Sequence, residues 1–449
     1  MSDQKKIYDL RLARYQAAIA CEPVDRVPLA TGSNYFAEVY AGYTKQEIIY
    51  DMDKWLESEL KFAKDFPTVD VLRNNRIYAP LYDALGVRNY KLPGIGLKEN
   101  TPFQFVEKDY MKADEYDELI DNPAAFMINK VCPRLHSEED GAYTARMANA
   151  LIKAGLAQAA FGAHMRRRTQ TLAEECGMPQ PTGGAFSAPL DALSDTLRDM
   201  KGIMMDMRRQ PDKVLAACDV LADEMINIAL GTADPLKRWP IFVPTHKPMF
   251  LSPKEYDKFY WPSFKKVLLT LIEAGHKVRA YLEGNQDAHV HHFKELPKGT
   301  VILDIDGQSD ILKVKEIIGD HQCVAGGLTD SMLIIGTPEK VKERVKYLCE
   351  TIGQKPGFIL SGSCNFPFDT KPENFKAMCE AVEEYGWLDR NLELKVKTAP
   401  EGKRPAPRQL TPWEVKKAES GIQGNETLVK NAWETFENQA YTFWWQWAF

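Results

Sequence analysis

The chain has 449 residues, 44% of them hydrophobic and 27% charged, with a formal net charge of −6. That is ordinary globular composition and excludes a disordered or collagen-like chain. Without a basic excess the chain is a poor match for nucleic-acid phosphates, so no nucleic-acid partner is expected.

No apolar run approaches the roughly 20 residues needed to cross a bilayer. The start, MSDQKKIYDLRLARYQ, is charged and periodic and has no apolar core for a secretory signal. A soluble cytoplasmic protein with no membrane association is therefore expected. The eight cysteines are scattered with no CxxC pair. They are expected to stay reduced, most of them as small core residues.

In chain order, Thr44 to Asp65 has helical periodicity, and Thr68 to Leu72 reads as a short strand with Asp70 in its middle. The stretch from Ala142 to Glu175 is helical again, and its run Arg166-Arg167-Arg168 reads first as a solvated face. Pro240 to Thr245 is a buried strand ending at His246. A helix follows, with Ser252 as N-cap and Glu255 three residues later; it stops at Gly275 and should be kinked by Pro262.

The strand-then-helix phrase then repeats. Lys277–Leu282 leads to Glu283-Gly284-Asn285, Thr300–Ile305 brings Asp304 and Asp306, and Cys323–Leu328 reaches Asp330. Gly357–Leu360 ends in Ser361-Gly362-Ser363-Cys364 and is followed by a helix from Pro372 to Tyr385. Such alternation indicates βαβ units and a parallel sheet. No GxGxxG follows a strand, which leaves a doubly wound dinucleotide fold without its fingerprint. The better fit is an α/β (β/α)₈ TIM barrel whose last five strands are these, with the first three upstream of residue 235 among helical insertions.

Residues 1–396 are assigned to this barrel and 397–449 to a linker and a helical tail. Lys397–Arg408 is rich in proline and charge, and Thr411-Pro412-Trp413-Glu414 carries a capping-box signature. The aromatic end, WETFENQAYTFWWQWAF, should pack on its own barrel or, in a homodimer, on a second subunit.

In parallel barrels the working residues lie at the C-terminal ends of strands. His246, Glu283, Asp304, Asp306, Asp330 and Cys364 occupy such positions. Asp304 or Asp306 could equally cap a following helix, and His246 could be a satisfied loop histidine. Glu283 stands out because its strand delivers it to the mouth, and Cys364 because it sits in a turn. A thiolate, a carboxylate and an imidazole converging from three strands would make a zinc site with an open position for substrate. The cluster His289, His291 and His292 ranks second. No GxSxG elbow supports a nucleophilic serine.

The chain resembles the uroporphyrinogen decarboxylase superfamily, which includes cobalamin-dependent methyltransferases. The carriers are Pro23-Val24-Asp25-Arg26-Val27-Pro28, the phrase around Asp70, Gly183-Gly184-Ala185-Phe186 and FLSPKEYDKFYWPSFKKV. GGLTD at 326–330, TPEKVKERV and SGSCNFP complete the set. The resemblance spans about residues 18–388 and implies a (β/α)₈ barrel.

Decarboxylases of the superfamily carry an aspartate like Asp70 and a histidine in the last turn, where this chain has Cys364. The methyltransferase branch has a zinc-binding cysteine in that turn, which Cys364 matches. Its usual His-x-Cys-Gly is replaced here by Tyr281-Leu282-Glu283-Gly284.

Exchanging a thiolate for a carboxylate makes the metal harder and favours an oxygen substrate. The resemblance therefore implies methyl transfer from a small methylated compound, a methyl ether by preference, to a corrinoid protein that carries the cobalamin. Zinc would be held by Glu283 and Cys364 with His246 or Asp304. Glu283 and Asp70 are the expected catalytic residues, and Tyr281, Asn285, Arg26 and Asp306 the expected substrate contacts. Two alternatives stand beside this: a metal-free decarboxylase using Asp70 and Arg26 on an acidic substrate, and a non-catalytic barrel acting as a binding subunit.

Overall fold

The structure is a computed structural model that describes residues 2–448 apart from 34, 75–76, 137–143, 364–365 and 401. Seven parallel strands form its centre: β1 (Ala30–Ser33), β2 (Val71–Asn74), β3 (Ile241–Thr245), β4 (Val278–Leu282), β5 (Val301–Ile305), β6 (Cys323–Gly327) and β7 (Phe358–Ser361). Strands β3 to β7 pair consecutively, and β1 pairs with β2. A parallel bridge from Leu29 to Leu360 sets β1 beside β7, and another from Ala185 to Phe242 sets residues 183–186 beside β3. Residues 183–186 thus supply an eighth parallel position, and the architecture is the expected (β/α)₈ barrel. Five positions come from the last five strands and three lie upstream of residue 235.

Side chains alternate across each strand, so one set faces the barrel interior and the other faces the helices. Ala30, Val71, Ile302, Cys323, Ala325 and Ile359 meet inside, with Tyr15 from helix α1 (Asp3–Ile19) among them. Val278, Ala280, Leu282, Val301, Leu303 and Ile305 face outward into the helical layer. The same parity turns Arg279 and Tyr281 inward on β4, and Asp304 on β5. Continued past the strand ends, it aims His246, Glu283 and Asp306 at the mouth.

The helical layer includes α2 (Ala145–Cys176), α3 (Pro211–Thr232), α4 (Trp261–Glu273), α5 (Pro338–Glu350) and α6 (Pro372–Tyr385). Two expected helices are broken. The 44–65 segment divides at Asp51, whose carboxylate caps the second half by accepting from the Asp53 and Lys54 amides. Ahead of Pro262 a π-helical turn, Tyr256–Tyr260, absorbs the proline that a regular helix could not accommodate.

Beyond the barrel, α7 (Glu426–Ala448) lies against α3: Tyr441 donates to Glu224, which Arg408 also pairs, and Trp445 is 1% exposed. The aromatic tail therefore packs on its own barrel. Thr411 is not a cap as expected; Pro412 holds the cap position of the helix Trp413–Ser420, and the Thr411 amide donates to Glu437. Among the described residues no helix is long and apolar enough to cross a membrane.

Candidate active site at the barrel mouth

His246 follows the last residue of β3. Its Nδ1 lies 2.6 Å from Asp195 Oδ2, and its Nε2 lies 3.8 Å from Glu283 Oε2, at the end of the neighbouring β4. Asp195 also holds Lys247 Nζ at 2.6 Å, and that ammonium reaches Glu107 at 2.9 Å. Beneath them the fully buried Asp191 accepts from the His246 amide at 2.9 Å, the Lys247 amide at 3.0 Å and the Tyr260 hydroxyl at 2.9 Å.

Both aspartates belong to the segment that follows residues 183–186: Asp191 in the short helix Pro189–Ala192 and Asp195 in the π-helical turn Leu193–Arg198. Tyr260 closes the π-helical turn Tyr256–Tyr260. One distorted turn brings Asp195 to the imidazole and another brings Tyr260 to Asp191 beneath it, as such turns do at functional sites.

The electrostatics follow from this geometry. Burial opposes a charge on His246, but Asp195, then Asp191 and Glu283, outweigh it and raise its pKa to about 9. Burial would raise Asp195, yet its bonds to His246 and Lys247 bring it below the ordinary value. Asp191 is pushed up by burial and then by the charge of Asp195. Glu283 is raised by burial, with Asp306 and Asp195 adding and His246 opposing. The surroundings favour a positive charge at His246 Nε2, facing a carboxylate that is reluctant to stand alone.

Of the expected ligands, the structure brings His246 and Glu283 together. With Nδ1 fixed by a carboxylate, Nε2 is the free ligating atom, the orientation typical of metal-bound histidine. The two residues thus fit as part of a zinc shell. Cys364 lies outside the described residues. Among those described, no group of three or more His, Cys, Asp or Glu side chains is placed to hold a metal.

Asp304, the alternative expected ligand, is not brought to this pair. It sits one inward step below the mouth, fully buried, and accepts from Arg279 Nε at 2.8 Å, with Nη2 of the same guanidinium in ion-pair contact at 2.7 Å. Its carboxylate is paired inside the barrel.

Asp70 and Arg26 lie away from the His246–Glu283 pair. Asp70 immediately precedes β2, at the strand-start end, and its amide donates to Leu29. Its carboxylate accepts from Arg14 at 2.5 Å, Arg26 at 2.9 Å and the Leu29 amide at 2.8 Å; Arg26 also pairs with Glu383. Parallel strands place their starts opposite the mouth, so this enclosed cluster is far in topology from Glu283.

Tyr281 is half-buried on the inward face below Glu283, edge-on to Phe242 with centroids 6.1 Å apart, where it could contact a substrate. Asn285 is exposed and donates to the Gln308 carbonyl at 3.1 Å. Asp306 accepts from Gly284 and Ser363. The histidine cluster stands apart: His289 stacks on Tyr256 at 4.1 Å, and His292 pairs with Asp257 and Glu295.

Sequence reasoning missed Asp191, Asp195 and Lys247. A signal existed in Asp191 and Asp195 at i and i+4, a spacing that puts both on one helical face after a strand end.

Comparison with known proteins adds a family. A uroporphyrinogen decarboxylase family model matches residues 146–385. Uroporphyrinogen decarboxylase of Pseudoalteromonas atlantica is 28% identical over 137 residues, which are 30% of this chain and 38% of that protein. The enzyme of Methylococcus capsulatus is 30% identical over 83 residues, 18% of this chain and 23% of its own. The chain thus matches less than two fifths of the length of these curated relatives. A methyltransferase from Methanosarcina mazei has the same fold, with a TM-score of 0.59 at 17% identity, covering 84% of this chain and 99% of its own.

Proposed function

Because this chain belongs to the uroporphyrinogen decarboxylase family, we propose that it is the methyltransferase kind of enzyme on that fold. In this reading it moves a methyl group from a small methylated substrate, a methyl ether by preference, to a corrinoid protein. The observation that carries the reading is the His246–Glu283 pair at the mouth, 3.8 Å apart and backed by Asp195. A zinc ion held there by His246, Glu283 and Cys364 would supply a Lewis acid for the leaving oxygen.

The chain's own residues prepare that chemistry. Asp195 fixes the imidazole so that Nε2 faces the mouth, and Lys247 balances the charge of Asp195 without touching Nε2. Asp191 holds the His246 and Lys247 amides, so the backbone under the site cannot swing. Tyr281 and Phe242 present aromatic surface beneath Glu283, suited to an uncharged methylated compound. The corrinoid cofactor would come with the partner protein. Decarboxylation through Asp70 and Arg26 is the weaker reading, because both are buried and paired with each other at the opposite end.

The test is elemental analysis of the purified protein beside Cys364→Ala and Glu283→Ala. Near-stoichiometric zinc lost in both variants, followed by demethylation of aryl methyl ethers that requires an added corrinoid protein, is the expected result. A chain that takes up no zinc on reconstitution would overturn the metal assignment.

A further inference from the structure

Asp306 lies one residue beyond β5, between the turn that carries Glu283 and the turn that follows β7. Its two oxygens serve different loops. Oδ2 accepts from the Gly284 amide at 2.9 Å, and Oδ1 accepts from the Ser363 hydroxyl at 3.0 Å. The Ser363 oxygen in turn accepts from the Gly307 amide at 3.0 Å, so the hydroxyl is used as donor and acceptor together.

Further bonds join the first pair of loops: Ser309 Oγ donates to the Gly284 carbonyl at 3.2 Å, the Gln286 amide to Ser309 Oγ at 3.0 Å, Asn285 Nδ2 to the Gln308 carbonyl at 3.1 Å and the Asp310 amide to Asp287 Oδ1 at 3.3 Å. Gly284 itself has φ +70°, and a Cβ there would stand 2.4 Å from Met249 Sδ. The turn behind Glu283 is therefore a glycine turn whose direction depends on what its backbone amide meets. What it meets is Asp306.

We propose that Asp306 is a positioning residue, whose carboxylate clasps the Glu283–Gly284 turn to the Ser363 turn and so sets where Glu283 stands against His246. The proposal rests on reading the mouth as the active site, and it replaces the expected role of Asp306 as a substrate contact. A carboxylate is suited to the task because it only accepts, so an amide and a hydroxyl can both donate to it, in charge-assisted bonds stronger than neutral ones. Ser363 immediately precedes Cys364 in the sequence, so the clasp joins the chain segments that carry two of the residues proposed to hold zinc.

The test compares wild type with Ser363→Ala, Ser363→Thr and Asp306→Asn in two measurements. The first is hydrogen exchange at the Gly284 and Gly307 amides, on protein stripped of metal. Ser363→Ala should speed exchange at Gly307, which loses its acceptor, and also at Gly284, because the shared carboxylate loosens; a change on the order of tenfold is expected. Ser363→Thr should restore both amides. The second measurement is zinc affinity, expected to fall roughly 10–100-fold in Ser363→Ala and Asp306→Asn, as it does on loss of groups that orient ligands.

Gly284 exchange unchanged in Ser363→Ala would overturn the clasp, as would an effect of Asp306→Asn on substrate KM alone with Ser363→Ala silent. If Asp306→Asn does not fold, the Ser363 pair of variants still decides. A wild-type chain that binds no zinc would refute the metal reading only, and the exchange measurement would still decide the clasp.

Discussion

Arg279 and Asp304 are both fully buried in the barrel interior and joined by two contacts at 2.8 and 2.7 Å. Arg279→Met removes the guanidinium and leaves the carboxylate in a low-dielectric interior. Breaking a buried pair on one side costs about 3–5 kcal/mol, because the survivor must stay charged without its partner or be neutralised. The double variant Arg279→Met, Asp304→Leu removes both charges and should lie within about 1 kcal/mol of wild type. Urea unfolding followed by circular dichroism measures all three proteins. A single-variant cost below about 1 kcal/mol, or a double variant less stable than the single, would refute the assignment of the pair as an interior brace. In the same experiment Asp304→Asn should leave zinc content unchanged, whereas a metal ligand would not.

Asp195→Asn should lower the His246 pKa from about 9 by about one unit or more, read from imidazole resonances in the metal-free protein. His246 is raised above its unfolded value, so its contribution to stability is complete below about pH 6.5 and lost as pH rises through about 9. In Asp195→Asn that loss should begin at lower pH. Burial alone would raise Asp70, but Arg26 and Arg14 bring it below 3.8. Its contribution is therefore present above about pH 3.8 and disappears as pH falls through the lower folded value. Asp70→Asn should flatten the acid limb of the stability profile while leaving substrate KM unchanged; a raised KM would revive the decarboxylase alternative. Trp445→Ala should cost about 3–5 kcal/mol in thermal or denaturant unfolding, as for a large buried aromatic. Tyr441→Phe, which removes one donor from the buried Glu224, should cost about 1–3 kcal/mol, and full stability in both would show that the tail does not contribute to the barrel.

The barrel was legible in the sequence wherever a strand is a short apolar run bounded by turn residues. Val301–Ile305 is such a run, and the repeating strand-then-helix phrase alone sets His246 and Glu283 directly after their strands. The position at 183–186 was not read as a strand. It is held by a few backbone bonds to residues 240 and 242, and Gly183-Gly184 has little strand propensity. Without a strand signal there, nothing in the local pattern points to the segment that carries Asp191 and Asp195. Asp304 is ambiguous in sequence for a related reason. It and Asp306 share one face, and only depth along the barrel axis separates an interior brace from a rim residue.

By itself the sequence determined the alternation of strands and helices, the inward parity of each strand and the family motifs, because these follow from local periodicity and from residues adjacent in the chain. Tertiary structure decided which charges meet. Asp70 and Arg26 became a sealed cluster at the strand starts, Asp304 found Arg279, and Asp195 reached His246 from 51 residues away. A carboxylate looks the same in sequence whether it faces a guanidinium, an imidazole or water. Its partner, and with that its charge and its role, is fixed only when distant segments are folded against each other.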